Sequence, residues 1–462
     1  MGRFLRFLSF FAVFFRKVAP MSAPYRVPVS RLAVSEATVP GSKSLTNRAL
    51  LLAALADGTS ELTGVLDSED ARLMLESLQA LGIEIDFDAD ACRAVVKGRG
   101  GDFPVKSAEL YVGNSGTTAR FLTAALAFAD GGEYRIDGKP RMRERPIGDL
   151  LTALSALGCD VVAEAGNDCP PLVIRGKRDV GGEIGIAANV SSQFLSGLLM
   201  AAPLAKRGVV VNIDGDLSSR PYVAMTLETM RSFGVAVESD AAFRRFSGFD
   251  SGAYRGRVYA IEPDASAASY FFALPAILGG SMTIRGLSRR SLQGDVGFVD
   301  CLERMGCAVR WDVDAITVER KTLADGTLAP LTGIDVDMNE ISDVAQTLSV
   351  VALFADSPTR IRNVAHMRRK ETDRVSAVAT ELRKFGVRVD EFEDGLQIWA
   401  GSNAELTGAK IATYDDHRMA MSFALAGLRI DGVEIEDPGC VAKTYPNFFA
   451  DLEKATRPVD AD

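Results

Sequence analysis

The chain has 462 residues, 47% of them hydrophobic, enough to fill more than one core, so two domains are expected. A net charge of −9 argues against a general nucleic-acid or membrane-surface binder, and any affinity for anions must be local. Six cysteines with no Cys-x-x-Cys pair, and only two histidines, give neither a disulfide framework nor material for a zinc site; a reducing, cytoplasmic compartment is expected.

Residues 1–21 stand apart from the rest. The stretch 3–17 is basic, Phe-rich and apolar, too short to span a bilayer as a helix, and no small-x-small cleavage site precedes Met21. It is expected to be a leader or extension outside the fold, with Met21 as the natural start.

Six apolar helices are then expected, each opening behind a cluster of Ser, Thr, Asn, Asp or Gly. Gly41-Ser42-Lys43-Ser44 precedes 48–56, Gly113-Asn114-Ser115-Gly116-Thr117 precedes 119–128, and Ser191-Ser192-Gln193 precedes 194–202. Asp264-Ala265-Ser266 precedes 267–277, Ser342-Asp343 precedes 344–354, and Tyr414-Asp415-Asp416-His417-Arg418 precedes 419–425. A helix start carries unsatisfied N–H groups and a positive dipole end, so each can hold an anion. Ordinary N-capping accounts for the polar residues alone. Lys43, Arg48, Arg120 and Arg418, in or beside these starts, are what points to a substrate with more than one anionic group.

A second, amphipathic helix type recurs between them, ending at Gly82, Gly158, Gly234, Gly306 and Gly386. Short strands follow at 83–85, 159–161, 235–237, 307–309 and 387–389, and glycine is the residue expected where such a helix stops. A sixth helix, 448–455, closes the chain without its strand. Each apolar helix leads into a turn and a β-branched segment, as at 57–58 then 62–65 and 279–280 then 282–284. The repeating unit is β-α-β-α-β-β, used six times, and the fold class is α/β. Three units per half give an N-terminal lobe of 42–262 and a second lobe of 22–41 plus 263–462. The strand before Ser42 and the segment near Glu262-Pro263-Asp264 would cross between them and form a two-strand hinge.

The run Pro40-Gly41-Ser42-Lys43-Ser44-Leu45-Thr46-Asn47-Arg48-Ala49 resembles the enolpyruvyl transferases. The likeness continues from about residue 30 to 455 through Gly113-Asn114-Ser115-Gly116-Thr117-Thr118, Arg141-Met142-Arg143-Glu144-Arg145-Pro146-Ile147, Ser191-Ser192-Gln193-Phe194 and Ser219-Arg220-Pro221-Tyr222. Lys370-Glu371-Thr372-Asp373-Arg374, Asp415-Asp416-His417-Arg418-Met419 and Ala442-Lys443-Thr444 complete it. In this order the motifs are similar to the branch of the family that acts on shikimate 3-phosphate. The resemblance implies two lobes of three βαβαββ units, an inside-out α/β barrel, closing on substrate. It implies transfer of the enolpyruvyl group of phosphoenolpyruvate to the 5-hydroxyl of shikimate 3-phosphate, through a tetrahedral intermediate that loses phosphate, on the way to chorismate and aromatic amino acids. No metal, cofactor, nucleic acid or membrane is implied, and a monomer is expected.

By motif, the resemblance assigns Lys43, Ser44, Arg48, Ser191, Ser192, Gln193, Ser219, Tyr222, Asp343, His366 and Lys370 to shikimate 3-phosphate. It assigns Lys43, Asn114, Gly116, Arg145, Gln193, Arg374, His417, Arg418 and Lys443 to phosphoenolpyruvate. Arg forks suit such multi-oxygen anions, and Gly116 permits close backbone approach. Asp343 is the expected base for the 5-hydroxyl, Glu371 the group for proton transfer at the methylene, and Lys43 a helper near the reacting carbons. Dense positive charge depresses carboxyl pKa values, so Glu371 is expected to be partly desolvated in order to donate at neutral pH. Arg141 and Arg143 are expected on a solvated face, Asp415 and Asp416 to orient His417 or Arg418, and His417 to meet ligand or act as a structural hydrogen bonder.

The sequence departs from the family pattern at His366, where many members carry Asn, and at Ser115 and Phe121 behind the phosphoenolpyruvate-site helix start. The last two bear on sensitivity to glyphosate, which Gly116 favours. The sister reaction on UDP-N-acetylglucosamine shares the fold, but its reactive Cys is missing from the loop 138–145.

Overall fold

The computed structural model describes residues 23–187, 191–215, 217–249, 253–400 and 405–459. The leader expected at 1–21 lies outside the described residues.

Five of the six apolar helices begin inside their polar clusters, because the cluster supplies the cap. Ser42, Ser115, Ser191, Asp264 and Asp416 accept from backbone N–H groups at the starts of Lys43–Leu55, Gly116–Ala127, Ser192–Ala201, Ala265–Leu278 and His417–Gly427. The helix expected at 344–354 is split: 3₁₀ turns Ser342–Val344 and Ala352–Phe354 flank the α-helix Ala345–Val351, and none of the three has a side-chain cap. Beyond their first turns these helices are mainly apolar and buried on every face.

The amphipathic helices Glu69–Ala80, Gly148–Ala156, Arg220–Ser232, Phe298–Arg304 and Arg374–Arg383 stop just before the repeated glycines. All five glycines have φ between 87° and 112°, where a Cβ is costly. One strand does not follow directly. After Gly234 the chain sends Val235 into the core, and pairing with Arg245–Ser247 begins only at Glu238–Ser239.

Five four-stranded sheets share one order. In each, a first strand lies parallel to the second, and an antiparallel hairpin completes the sheet, as in Ser107–Tyr111, Glu133–Asp137, Leu172–Arg175 and Asp160–Ala163. A parallel pair needs a crossover, and the apolar helix provides it. Two sheets take their first strand from far along the chain: Val258–Ala260 pairs with Asp57–Thr63, and Glu36–Ala37 with Gly280–Arg285. The connecting segments meet where Gly41 bridges Pro263, the Ser42 N–H donates to the Glu262 carbonyl, and the Asp264 N–H donates to that of Pro40, each at 2.8 Å. The sixth sheet has three strands, Tyr25–Arg26, Glu434–Ile435 and Lys410–Ile411. The helix Phe448–Ala455 runs on into a strand, Thr456–Pro458, paired with Ser30–Leu32, which the sequence pattern did not predict.

Two apolar clusters form the core, one from Leu45 to Ile261, the other from Val27, Val39 and the chain beyond Ala265. No described helix is long and apolar enough to cross a membrane.

Candidate active site

Side chains join the apolar helix starts to one another. The Lys43 N–H donates to Asp264 Oδ2 at 2.9 Å, and Gln193 donates to the Thr117 hydroxyl at 3.2 Å. Arg120 donates to Gln193 Oε1 at 2.7 Å, and Arg418 to Asp343 Oδ2 at 2.8 Å.

Two carboxylates lie at the centre. Asp343 accepts from Lys370 Nζ at 2.5 Å, from Arg374 at 3.4 Å, from Arg418, and from the Tyr222 hydroxyl at 3.3 Å. Glu371 is 2.8 Å from Arg374, 3.2 Å from Lys443 and 4.0 Å from Arg145. Burial would push the Asp343 carboxyl up, but Arg418, Lys370, Arg374 and Lys43 hold it well below the usual range. Burial acts the same way on Glu371 and is outweighed by Lys443, Arg374 and Arg145. Glu371 is desolvated as expected, and the cations at contact distance in a medium of low dielectric hold its carboxyl low in this arrangement.

Arg374, 1% exposed, also forks onto Asp416 at 2.7 and 3.2 Å. Asp416 therefore holds Arg374 and the N–H of Arg418, and orients neither the His417 ring nor the Arg418 guanidinium by hydrogen bonding. Both His417 ring nitrogens are buried without a hydrogen-bond partner among the described residues, and Nδ1 lies 3.6 Å from Asp416 Oδ1. Burial, with Arg418, Lys43 and Lys443, keeps its ring neutral.

The second helix start is built around Gly116. A Cβ there would lie 2.3 Å from Arg120 Nη1 and 2.6 Å from Arg145 Nη2, so two guanidiniums close on bare backbone. Arg145 donates to the carbonyl and side-chain oxygens of Asn114 at 2.9 and 3.1 Å, and Lys443 Nζ donates to the same carbonyl at 2.9 Å. Arg120 was not among the residues assigned from motifs. It lies over the Phe194 ring, has no carboxylate partner among the described residues, and burial pulls it down to about 9. Its position in the first turn after Gly116 was the available signal.

On the other side, Arg48 is 1% exposed, with Nε and both Nη atoms already donating to Thr226, the Ser44 carbonyl, Ser196 and the Tyr222 carbonyl. It braces Ser44 from behind. Ser191 caps its own helix, and Ser192 is buried beside it. Ser219 adopts a left-handed backbone, and its N–H and hydroxyl both donate to Asn339 at 3.2 Å. His366 Nε2 meets the Ser342 hydroxyl at 2.8 Å, and Lys370 donates to the same oxygen at 3.3 Å. Burial and Lys370 take His366 down to about 3. Lys43 Nζ lies 3.5 Å from Asp70.

Arg143 pairs with Asp137, on a solvated face as expected. Arg141 does not stay there: it donates to the backbone carbonyls of Glu371 and Lys370, both at 3.2 Å. No group of three or more metal-ligating side chains occurs among the described residues.

Lys43, Arg120, Arg145, Lys370, Arg374, Arg418 and Lys443 outnumber the carboxylates that meet them, in a chain of net charge −9. Fold and site together define a protein that gathers small molecules bearing several anionic groups. The family model for EPSP synthase (3-phosphoshikimate 1-carboxyvinyltransferase) matches residues 29–452. The chain is 47% identical over 413 residues to the 3-phosphoshikimate 1-carboxyvinyltransferase of Nostoc punctiforme, covering 89% of this chain and 94% of that one. It is also 47% identical over 428 residues to the chloroplastic enzyme of Arabidopsis thaliana, covering 91% and 82%. The solved EPSP synthase from Acinetobacter baumannii superposes with a TM-score of 0.76 at 26% identity, covering 93% of this chain and 97% of that one. The chain belongs to the EPSP synthase family.

Proposed function

We propose that this chain transfers the enolpyruvyl group of phosphoenolpyruvate to the 5-hydroxyl of shikimate 3-phosphate, releasing phosphate, as a step of aromatic amino acid biosynthesis. Family membership supports the reaction. The observation that carries it to residues is the pair Asp343 and Glu371, bridged by Arg374 and surrounded by cations drawn from both halves of the sequence.

In this reading residues 42–262 form one lobe and 22–41 plus 263–462 the other, each an inside-out α/β barrel of three units. The strands crossing at Gly41 and Pro263 form the hinge. Arg145, Arg374, Arg418 and Lys443, with His417, Asn114, Gly116 and Gln193, take phosphoenolpyruvate. Ser44, Arg48, Ser191, Ser192, Ser219, Tyr222, His366 and Lys370 take shikimate 3-phosphate, with Arg48 acting through Ser44. A bound anion competes with Glu371 for Arg374, Arg145 and Lys443, and sharing those charges raises Glu371 toward the range where it can move a proton at the methylene carbon. Asp343 takes the proton of the 5-hydroxyl. Lys43, whose charge acts on Asp343, meets charge on the departing phosphate. Preset cations need not reorganise as that charge develops.

Phosphorus NMR of the purified chain with both substrates tests this. One inorganic phosphate should appear per shikimate 3-phosphate consumed, with a product that keeps its 3-phosphate. Phosphate formed without consumption of the acceptor would contradict the reading.

A further inference from the structure

Asp295 is a buried carboxylate that the reaction proposed above leaves unused. It sits in the 3₁₀ turn Gly294–Gly297, 4% exposed, and makes no ion pair among the described residues. Its Oδ2 accepts from the Ser266 hydroxyl and, at 3.3 Å, from the Tyr222 hydroxyl, while Oδ1 is buried without a partner. The same Tyr222 oxygen is 3.3 Å from Asp343 Oδ2. One phenolic proton therefore lies between two carboxylates.

The two differ in surroundings. Asp343 faces Arg418, Lys370, Arg374 and Lys43. Asp295 accepts from Ser266 and Tyr222, and the charges that act on it are those of Asp343, Arg418 and Asp264. Burial, together with Asp343 and Asp264, brings its carboxyl up to about 6 against the opposing pull of Ser266 and Arg418. Asp295 can keep a proton near neutrality, and Asp343 cannot.

We propose that Asp295 is a proton-holding partner of Asp343, joined to it through the Tyr222 hydroxyl. When Asp343 has taken a proton from the substrate hydroxyl, Tyr222 passes its phenolic proton to Asp295 Oδ2 and receives the Asp343 proton in its place. Asp343 returns to carboxylate, Asp295 becomes neutral, and only O–H bonds form and break. Asp295 is a positioning residue, since it acts through Tyr222. The origin of the proton rests on the function proposed above; the carboxyl–phenol–carboxyl arrangement does not.

The test is the pH profile of kcat for the wild type, Asp295→Asn, Tyr222→Phe and Ser266→Ala. Wild-type kcat should fall as pH drops through about 6, where a protonated Asp295 can no longer accept. Asp295→Asn and Tyr222→Phe should each lower kcat about tenfold or more and lose that limb, and the double variant should be no worse than either. Ser266→Ala should keep the limb at higher pH, having lost a hydrogen bond to the carboxylate. Full kcat with an unmoved limb in Asp295→Asn and Tyr222→Phe overturns the proposal; if Asp295→Asn does not fold, Tyr222→Phe alone decides. Absence of acceptor-dependent phosphate release in the wild type would sink the proposed function instead. Isotope-edited infrared titration of the free protein then decides the coupling. A carboxyl band titrating near 6, lost in Asp295→Asn and raised in Tyr222→Phe, supports it, and no such band overturns it.

Discussion

Lys443 donates its Nζ to the main-chain oxygen of Asn114 at 2.9 Å, although the two lie 329 residues apart. The same amine is 3.2 Å from Glu371, so one cation fastens the Gly116 helix start to the central carboxylates. Arg141 spans the same gap in the opposite direction, onto the carbonyls of Lys370 and Glu371. Charge-assisted hydrogen bonds of this kind hold geometry as well as contributing energy.

Removing the Arg141 half of that connection should loosen the site. Arg141→Ala should raise KM for phosphoenolpyruvate by about tenfold, the loss of roughly one charge-assisted hydrogen bond, and should expand the radius of gyration measured by small-angle scattering. Scattering identical to wild type would show that the two halves are held by other contacts.

Gly116→Ala tests the close approach. Its Cβ would fall within 2.6 Å of Arg120 and Arg145, but both neighbours are tips of long side chains, so the fold should tolerate it. Displaced guanidiniums should raise KM for phosphoenolpyruvate about tenfold and leave KM for shikimate 3-phosphate near wild type. An equal rise in both would mean that the whole site had moved.

Asp343→Ala leaves Lys370 and Arg418 without their carboxylate. Turnover should fall by about 10²–10⁴, while phosphoenolpyruvate affinity, measured calorimetrically, should hold or tighten as positive charge is released. Weakened binding with normal turnover would make Asp343 a binding residue. Lys43→Met should abolish turnover and keep the fold, since among the described residues Lys43 Nζ has a single ion-pair partner, Asp70.

His366 sets a pH dependence. Its folded value of about 3 lies below its ordinary value of 6.5, so the unfolded chain binds more protons between them. Its contribution to stability is complete above 6.5 and is lost as pH falls toward 3. Asp295, raised to about 6, acts in the opposite sense between its ordinary value of 3.8 and 6. Asp343 and Glu371, both lowered, add a loss only below the ordinary carboxyl range. Denaturant titrations from about pH 4.5 to 6 should therefore show the slope of stability against pH reduced in His366→Asn by at most about 1.4 kcal/mol per pH unit. Parallel slopes would mean that His366 titrates normally in the folded chain.

The helix starts could be located from sequence because capping is local: Ser42, Ser115, Ser191, Asp264 and Asp416 each bond a backbone N–H two or three residues on. The glycine-ended helices were legible for the same reason. Arg120 was legible only as a cation beside a helix start, and Arg141 and Asp295 were not legible, because what sets their roles lies on other elements: a ring on a neighbouring helix, two carbonyls more than 200 residues away, a phenol on another. The charge state of Glu371 depends on three cations from separate elements, and its own neighbours in sequence gave only half of that balance. The late strand at Glu238 shows the same limit, since pairing depends on how far the partner strand extends.

The most direct measurement is phosphate release from phosphoenolpyruvate by the purified chain, alone, with shikimate 3-phosphate, and with UDP-N-acetylglucosamine. Release that requires shikimate 3-phosphate and ignores the sugar nucleotide is the predicted result. Release with UDP-N-acetylglucosamine, or with neither acceptor, would contradict it.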